Sequence, residues 1–452
     1  MIRPTCVMLA LLGLSSALST ARGAEAPPED RVTVNMGFRR AFFAGEYAAA
    51  LPLATRVVEL TRTQFGSDAP QLVNPLTNLG TTHYRMGNFE PALDTYREAL
   101  RLLDLQGEAA NEKLVRPLHG MGAALRGLKR DEDAIVPFRR AIEIVRNRQG
   151  LHSVSQLPLL KELVACYMST GRITEAGREQ LYAFGVAESA YGKDDVRLVG
   201  PLEDYALWNE GAGRFTAARV LHARAVQIAD EKLGATNLQA IPALRGIARS
   251  YRQAYVFGEA EESMQAVTGL QDQIAPNLIA RATAAPSSEG ERALRNALDR
   301  ISSAPLPQPP LRAAVLVDLG DWYLTAAVKP RALATYVDAW NTLGAEAAAP
   351  LLGHPEVVVY RPPAMAVSRR QFSGQEEYEE QEVRLRLSIA ADGDVREAIV
   401  ANAATQREAA EKAVMAAVKR AQWRPAYRDG VAVAATDVEF VERVYIRRPK
   451  EK

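Results

Sequence analysis

The small and apolar positions between residues 31 and 270 recur at one constant interval along the chain. Alanines mark this period, at Ala50, Ala92, Ala134, Ala176, Ala218 and Ala260. Within residues 76–100, apolar side chains recur every three or four positions in two runs, which Gly87-Asn88 separates. Spacing of this kind is typical of amphipathic helices, and a long constant period is typical of stacked repeats. The pattern therefore predicts six helix pairs over residues 31–270.

Two further features support helix pairs rather than single long helices. Glycine lies five residues before four of the six alanines, at Gly45, Gly87, Gly171 and Gly213. Glycine tolerates the left-handed backbone that ends many helices. Proline stands near the start of the first helix in five copies, where its missing N–H costs nothing, in the pairs Asn74-Pro75, Arg116-Pro117, Leu157-Pro158, Gly200-Pro201 and Ile241-Pro242.

A seventh copy over residues 313–350 follows an interruption. One further period after Ala260 would end at Ser302, but the next matching alanine is Ala332. The extra residues fall within 271–312, where Glu289–Ser302 is predicted to be a helix before the Pro-rich stretch APLPQPP. This segment is either a tolerated surface insertion or a lid or hinge within the array.

The repeated helix pairs, with their alanines, turn glycines and helix-start prolines, resemble the tetratricopeptide repeat. The 42-residue period and connectors such as FGSDAPQLVNPL and YGKDDVRLVGPL resemble its kinesin-light-chain variety. The resemblance implies a right-handed superhelix of about seven helix pairs. It also implies that the first helix of each pair lines a concave face where protein or peptide ligands bind.

The pattern changes to alternation from about residue 355. Val383, Leu385, Leu387 and Ile389 point to one side of a predicted strand, which is half buried. An Asp-Gly turn, a return strand over 395–401, a helix over 408–422, a second Asp-Gly turn and a last strand over 436–446 follow. The fold class is therefore mainly α, with a small α+β domain over residues 355–447 after the repeats.

The order strand, strand, helix, strand resembles the C-terminal domain of TonB, the periplasmic energy transducer. The segments that carry this resemblance are EVRLRLSIAADGDV and QWRPAYRDGVAV, with Pro362-Pro363 and Ala366 in the register of the family's Tyr-Pro pair and alanine. The resemblance implies that the domain binds an envelope partner by adding a strand at a sheet edge. We do not expect active energy transduction, because a repeat array occupies the place of the family's anchor and Pro-rich spacer.

The stretch 1–23 reads as a signal peptide. Arg3 precedes a short apolar stretch, and Ala21-Arg22-Gly23 is a small-x-small cleavage site. The alternative is an uncleaved anchor. Cleavage would leave a periplasmic protein with no integral span, in which Cys166 is the remaining cysteine, so no intrachain disulfide could form.

Composition narrows the classes of function. The chain carries 55 Lys+Arg and 54 Asp+Glu, and this balance gives no global field for nucleic acid. With two cysteines, five histidines and no nucleotide, nucleophile-elbow or zinc motif, we expect no catalytic residue, no cofactor and no metal. Cys166 is predicted to be a buried small hydrophobe, and His83 and His222 to be packed between helices.

Candidate ligand-binding residues follow from the concave face that the resemblance implies. The columns at positions −18, −15, −11, −8 and −7 relative to each repeat alanine hold eight basic and two acidic residues, the acidic ones being Glu203 and Glu210. A concentrated basic wall would suit an acidic peptide or a terminal carboxylate; the alternative is solvated surface charge. The candidate groove residues are Arg39, Asn74, Tyr84, Arg85, Arg116, His119, Arg126, Lys161, Arg245, Arg249 and Arg252.

Three hypotheses of function remain at this point. The first is a periplasmic scaffold that binds one protein or peptide in the repeat groove and another through the TonB-like module. The alternative is an accessory component of TonB-dependent outer-membrane uptake, which would contact an outer-membrane receptor. An enzyme with a site assembled from distant residues is the third.

Overall fold

The computed structural model describes residues 30–105, 107, 112–258, 286–363, 378–401 and 408–447. The signal peptide expected at residues 1–23 lies outside these ranges. The chain divides into two compact units, of which the first ends at Leu102 and the second begins at Leu103. No helix within the described ranges is both long and apolar enough to cross a membrane.

The first unit consists of two helix pairs. Helices α1 (Arg31–Phe43) and α2 (Tyr47–Phe65) form the first pair, and α3 (Val73–Arg85) and α4 (Phe89–Asp104) form the second. The carboxylate of Asp30 caps α1 by accepting the backbone N–H groups of Val32 and Thr33.

The second unit continues the repeat. Its helices are α5 (Val115–Gly127), α6 (Asp131–Gln149), α7 (Leu157–Ser169), α8 (Ile173–Tyr191), α9 (Val199–Gly211), α10 (Phe215–Leu233) and α11 (Ile241–Phe257). The first helices of the six copies begin at positions 31, 73, 115, 157, 199 and 241, so the interval from each start to the next is the same. This interval equals the spacing of the repeat alanines, and the predicted period is confirmed.

The turns within the pairs explain where the sixth copy departs from the prediction. The residue five before the repeat alanine has a positive φ in the first five copies, at Gly45, Gly87, Lys129, Gly171 and Gly213. In the sixth copy this position is Tyr255, which lies inside α11. Because a bulky residue rarely adopts a positive φ, α11 continues to Phe257 and ends at Gly258, with φ of 78°. The predicted second helix of the sixth pair falls on residues outside the described ranges.

A helix from the predicted insertion 271–312 packs inside the array instead. Helix α12 (Pro286–Ser302) contacts both α11 and α13 (Pro309–Thr325). Leu294, Ala297 and Ile301 are buried in the same core as these two helices. The described part of the segment is therefore neither a surface insertion nor a lid. Residues 271–285 lie outside the described ranges.

A helix pair lies where the seventh copy is expected, and it begins before the predicted 313. It consists of α13 and α14 (Lys329–Leu343), and the short helix α15 (Ala345–Leu352) follows. Tyr336 of α14 is fully buried against Gly320 of α13. A larger residue at Gly320 would meet the Tyr336 ring, so the glycine permits the close crossing.

The C-terminal module has the predicted order of elements. Its main sheet has the antiparallel order β3 (Val395–Val400), β2 (Tyr378–Ile389), β7 (Ala435–Arg447), and α16 (Glu408–Lys419) packs on it. Val383, Leu385, Leu387 and Ile389 are buried beside α16, as predicted. Two small antiparallel pairs were not predicted: β1 (Glu356–Val359) with β4 (Gln422–Arg424), and β5 (Ala426–Arg428) with β6 (Val431–Val433).

The module is separate along the chain but not in its packing. Tyr427 of β5 is 1% exposed and shares the core of the seventh helix pair. Its hydroxyl donates to the carbonyl of Leu333 at 3.2 Å, and its ring lies 6.0 Å from that of Tyr336. The C-terminal module and the seventh helix pair therefore share one core.

Candidate functional site

All eleven candidate groove residues lie on first helices, as the repeat register predicts. Arg39 is on α1, and Asn74, Tyr84 and Arg85 are on α3. The others belong to the second unit, where α5 carries Arg116, His119 and Arg126, α7 carries Lys161, and α11 carries Arg245, Arg249 and Arg252. The surroundings of these residues differ between the two units.

In the first unit the candidates are open to solvent. Arg39, Asn74 and Arg85 are exposed, and Tyr84 is half-buried with its ring 5.7 Å from Phe89. Within the described ranges, neither Arg39 nor Arg85 forms an ion pair with a carboxylate. These residues can therefore meet a ligand without first breaking an ion pair.

In the second unit most of the basic candidates are neutralised by carboxylates. Arg126 pairs with Glu162 and, at 3.2 Å, with Asp131. Lys161 pairs with Asp204 at 2.6 Å, and Arg245 pairs with Asp318. These three residues add little free positive charge to the concentrated basic wall that the sequence suggests, because their guanidinium and ammonium groups already have acidic partners.

Arg249 belongs to a buried network around Glu210. The Arg249 Nε donates to Glu210 at 2.6 Å, the Ser250 hydroxyl donates at 2.7 Å, and His222 Nε2 lies 3.1 Å away. Burial would raise the pKa of Glu210, but the bonds from His222 and Arg249 outweigh it and lower that pKa. Burial also lowers the pKa of His222. Arg249 and Glu210 therefore hold α9, α10 and α11 together.

Arg252 occupies a second buried network, centred on Asp321. This carboxylate accepts from Arg252 at 3.0 Å, from the Tyr336 hydroxyl at 2.8 Å and from Arg424 at 3.4 Å. Arg424, which is 3% exposed, also pairs with Glu356. Arg252 thus helps to join α11, the seventh helix pair and the C-terminal module.

Two candidates on α5 have intermediate surroundings. Arg116 is exposed, whereas His119 is half-buried with its ring 6.0 Å from that of Phe138. Burial lowers the pKa of His119, so its imidazole is neutral at pH 7 and adds no positive charge to this face.

Glu203 on α9 is a buried carboxyl with a raised pKa, which its position in the groove columns does not predict. Its Oε1 is buried without a hydrogen-bond partner within the described ranges. Burial first, and then the charge of Asp204, raise its pKa to about 7, although Lys161 and Arg249 act in the opposite direction. Near neutral pH this carboxyl gains or loses a proton.

The carboxylates that pair with Arg126, Lys161 and Arg245 also follow the repeat, but in a column that is not among the five groove columns. Glu162, Asp204 and Asp318 all stand at position −14 relative to their repeat alanine, in a column next to one of those used. Reading that column together with the basic ones predicts the ion pairs of the second unit.

A cavity of about 200 Å³ between α10, α11 and α12 is a weaker candidate for a ligand-binding site than the exposed residues of the first unit. Of its polar side chains, Glu289 pairs with Arg292 at 2.6 Å, and the Arg219 guanidinium lies over the Tyr251 ring at 4.5 Å. These groups bind one another rather than point into the cavity unpaired.

Cys166 is fully buried, as predicted, and burial raises the pKa of its thiol to about 12. A thiol with so high a pKa is a poor nucleophile at neutral pH. Among the residues that the structure describes, no group of three His, Cys, Asp or Glu side chains could hold a metal ion.

The comparisons agree with the repeat pattern in the first unit. Residues 34–104 match the tetratricopeptide repeat family, so the chain carries helical repeats of this type, which generally mediate protein–protein interaction. No curated protein matches the chain significantly.

Several solved structures are similar to parts of this chain. The kinesin light chain nearly identical TPR-like repeats of Podosopora anserina share 14% identity over 45% of this chain and 99% of that chain, with a TM-score of 0.42. The apo form of RapI shares 12% identity over 69% of this chain and 98% of that chain, with a TM-score of 0.43. BtubC of P. vanneervenii shares 16% identity over 45% of this chain and 91% of that chain, with a TM-score of 0.35. These likenesses are weak, since each TM-score is below 0.5.

Proposed function

We propose that this protein is a periplasmic interaction scaffold whose inner helix face binds a segment of a partner protein. The observation that carries the proposal is the contrast between the two units. The first unit, which matches the repeat family, exposes Arg39, Asn74 and Arg85 without carboxylate partners in the described ranges, whereas the basic residues further along the array are mostly paired.

The contrast between the two units also indicates which chemical groups a ligand of the first unit would carry. An acidic side chain or terminal carboxylate would form charge-assisted hydrogen bonds with Arg39 and Arg85. The second unit, taken by itself, has paired charges on α7 and α9, where Lys161 is bonded to Asp204, and the 48%-exposed Leu207 is available for apolar contacts. The first unit therefore prefers a segment with an acidic side chain or a free carboxyl end.

A charge reversal on α3 tests this proposal. Arg85→Glu should remove the partner from affinity purifications of the full chain from envelope extracts, measured by quantitative mass spectrometry. The matched control is Arg97→Glu on the second helix α4, which makes the same charge change at a residue that pairs with Asp94 at 3.1 Å. Equal recovery of partners with both variants would contradict the groove assignment.

The periplasmic location rests on the amino-terminal sequence, and the mature protein should begin at Ala24. Mass spectrometry of the protein purified from its native envelope measures this directly. A protein that retains Met1 would contradict the proposed cleavage and favour an uncleaved anchor.

A second candidate is an accessory role in TonB-dependent uptake. The support is the strand, strand, helix, strand order of the module and its long edge strand β7, which pairs only with β2 within the described ranges. A peptide could add to such an edge. A photo-crosslinking residue at Val441, which is 41% exposed on β7, should then capture an outer-membrane receptor. Absence of a receptor adduct in cells that are importing the substrate would count against this role.

A further inference from the structure

Strand β7 forms a long edge of the main sheet in the C-terminal module. It spans Ala435–Arg447 and pairs antiparallel with β2 on one side. Within the described ranges no strand pairs with its other side. The backbone N–H and C=O groups along a free edge can pair with another strand, unless side chains keep that strand away. The side chains of β7 therefore decide what this edge can bind.

The side chains of β7 fall on two faces of the sheet. Val438 and Val444 belong to the core that the sheet forms with α16. Glu439 and Arg443 lie on the opposite face, where their side chains are 63% and 49% exposed, and Val441 stands between them. An edge that carried charges of one sign would repel a second copy of itself. This edge carries both signs, one on each side of Val441.

The order of these residues makes the strand complementary to itself. Val441 is the midpoint of the strand, because Ala435–Arg447 extends six residues to either side of it. In an antiparallel arrangement centred on Val441, the whole of β7 pairs with β7 of a second copy. Glu439 of each copy then lies opposite Arg443 of the other copy, so two pairs of opposite charge form.

Strand β2 extends this charge pattern across the sheet. Within one copy, Glu439 lies opposite Arg386, and Arg443 lies opposite Glu382 at 3.5 Å. Pairing two copies through β7 gives rows of four side chains with alternating sign, in the order Arg386, Glu439, Arg443 and Glu382. Opposite charges in neighbouring cross-strand positions stabilise a sheet.

The core side of the strand favours the same register. With the centre at Val441, Val438 of one copy lies opposite Val444 of the other copy, so apolar residues meet. Moving the centre by two residues in either direction places Glu439 opposite Glu439, or Arg443 opposite Arg443. Like charges directly opposite one another destabilise a sheet, so these two registers are disfavoured.

We propose that β7 pairs with β7 of a second copy of this chain, in the antiparallel register centred on Val441, and joins two C-terminal modules into one continuous sheet. The interface is symmetric, so each contact is made twice. A receptor segment added to β7, as in the second candidate function, would compete with the second copy for the same edge. The inner face of the first unit takes no part, so a failure of this proposal and a failure of the inner-face assignment are distinguishable.

Two charge reversals in the full chain test the register. In a dimer, Glu439→Arg places arginine opposite Arg443 twice, and Arg443→Glu places glutamate opposite Glu439 twice. Sedimentation equilibrium between about 1 and 100 µM should show the wild type as a concentration-dependent dimer, and each variant alone should have a dissociation constant at least about tenfold higher. A wild type that stays monomeric over this range would overturn the proposal.

Mixing the two variants separates a broken interface from a misfolded module. In a mixed dimer every arginine at positions 439 and 443 faces a glutamate. The mixture should therefore dimerise with an affinity within about threefold of the wild type, which misfolded variants could not do. A mixture that stays monomeric while the wild type dimerises would contradict the register centred on Val441.

The opposite edge of the same sheet supplies the matched control. Glu397→Arg makes the same charge change as Glu439→Arg at an exposed position of β3, and it should leave the dissociation constant of the dimer unchanged. Weakening of the dimer by this control to the same extent would show that the net charge of the module, rather than the edge of β7, decides association.

Crosslinking identifies the occupant of the edge. Because Val441 lies opposite Val441 of the second copy, a photo-crosslinking residue at this position should join two copies of the chain, giving an adduct of twice the chain's mass. A receptor adduct with no adduct between two copies would overturn the proposal and assign the edge to a segment of that receptor.

Discussion

Close packing within a helix pair depends on the absence of a side chain at one position. Gly122 on α5 faces Phe138 on α6, and a Cβ at Gly122 would lie 2.6 Å from the ring, which is fully buried. We expect Gly122→Ala to lower the free energy of unfolding of the second unit by about 1–3 kcal/mol. The loss should appear even though alanine favours a helix over glycine by about 1 kcal/mol.

The matched control is Gly185→Ala within α8, where no atom lies within 4 Å of the added Cβ. This variant should raise the free energy of unfolding by up to about 1 kcal/mol. Urea titrations followed by circular dichroism measure both. A shift in the same direction for both variants would show that the ring contact does not decide the outcome.

Glu203 should make stability depend on pH near neutrality. Its folded pKa of about 7 lies above its ordinary value of 4.5. The folded state therefore holds this proton more tightly, and the resulting stability is present below about pH 4.5 and is lost as pH rises through 7. Glu203→Gln should raise the free energy of unfolding at pH 8 by about 1–2 kcal/mol, allowing for solvent screening.

The same substitution should have little effect at pH 4.5, where the wild-type carboxyl is also protonated. Thermal unfolding of both proteins between pH 4.5 and 8 checks this. A constant difference across that range would contradict the raised pKa.

The candidate site was predictable only in part. Its helices and their phase followed from the constant period of the repeat alanines, so every candidate lies on a first helix. The period did not predict which basic candidates are neutralised, because an ion pair such as Arg126 with Glu162 joins residues from two copies. Five selected columns could not show that a sixth column held the carboxylates.

The turns within the helix pairs differ in backbone strain. Lys129 occupies the left-handed turn position with φ of 62°, where Gly87 has φ of 78° in the second copy. A side chain costs about 1–2 kcal/mol in this conformation. We expect Lys129→Gly to raise the free energy of unfolding by about 1 kcal/mol and Gly87→Ala to lower it by a similar amount.

Differential scanning calorimetry of the two variants measures these shifts in their respective units. The contradicting outcome is a Lys129→Gly variant that is less stable than the wild type, which would mean that lysine makes contacts worth more than the strain.

The sixth pair shows why an element can be missed when the period is right. Tyr255 stands in the turn column, and without a glycine there α11 continues past it to Phe257. The helix over 289–302 was predicted, and the structure has α12 over Pro286–Ser302. Its place in the array could not be predicted, because it depends on contacts between residues far apart in the chain, such as Arg300 of α12 with Asp230 of α10 at 2.6 Å.

Within the second unit, the seventh helix pair and the C-terminal module should unfold as one body. Tyr427 is buried in the core of the seventh pair, so Tyr427→Ala should lower the free energy of unfolding of the second unit by about 3–5 kcal/mol. It should also expose both parts to proteolysis together. Val431→Ala, at a 63%-exposed position on the same hairpin, is the control and should change neither.

Limited proteolysis with mass spectrometry distinguishes the outcomes. If Tyr427→Ala loosens only the module while α13 and α14 stay protected, the shared core is wrong. The module's own elements were predicted from alternation and Asp-Gly turns. Its docking was not, since the pairing of Arg424 with Asp321 joins residues that are 103 positions apart.

The proposed scaffold depends on the inner face of the first unit meeting a partner. Replacing Arg85 on α3 with a photo-crosslinking residue in the full chain, in its native envelope, tests this contact at one position. A discrete protein adduct is expected from residue 85 and not from residue 97 on the second helix α4. Identical adducts from both positions, or an adduct from residue 97 alone, would contradict binding at the inner face.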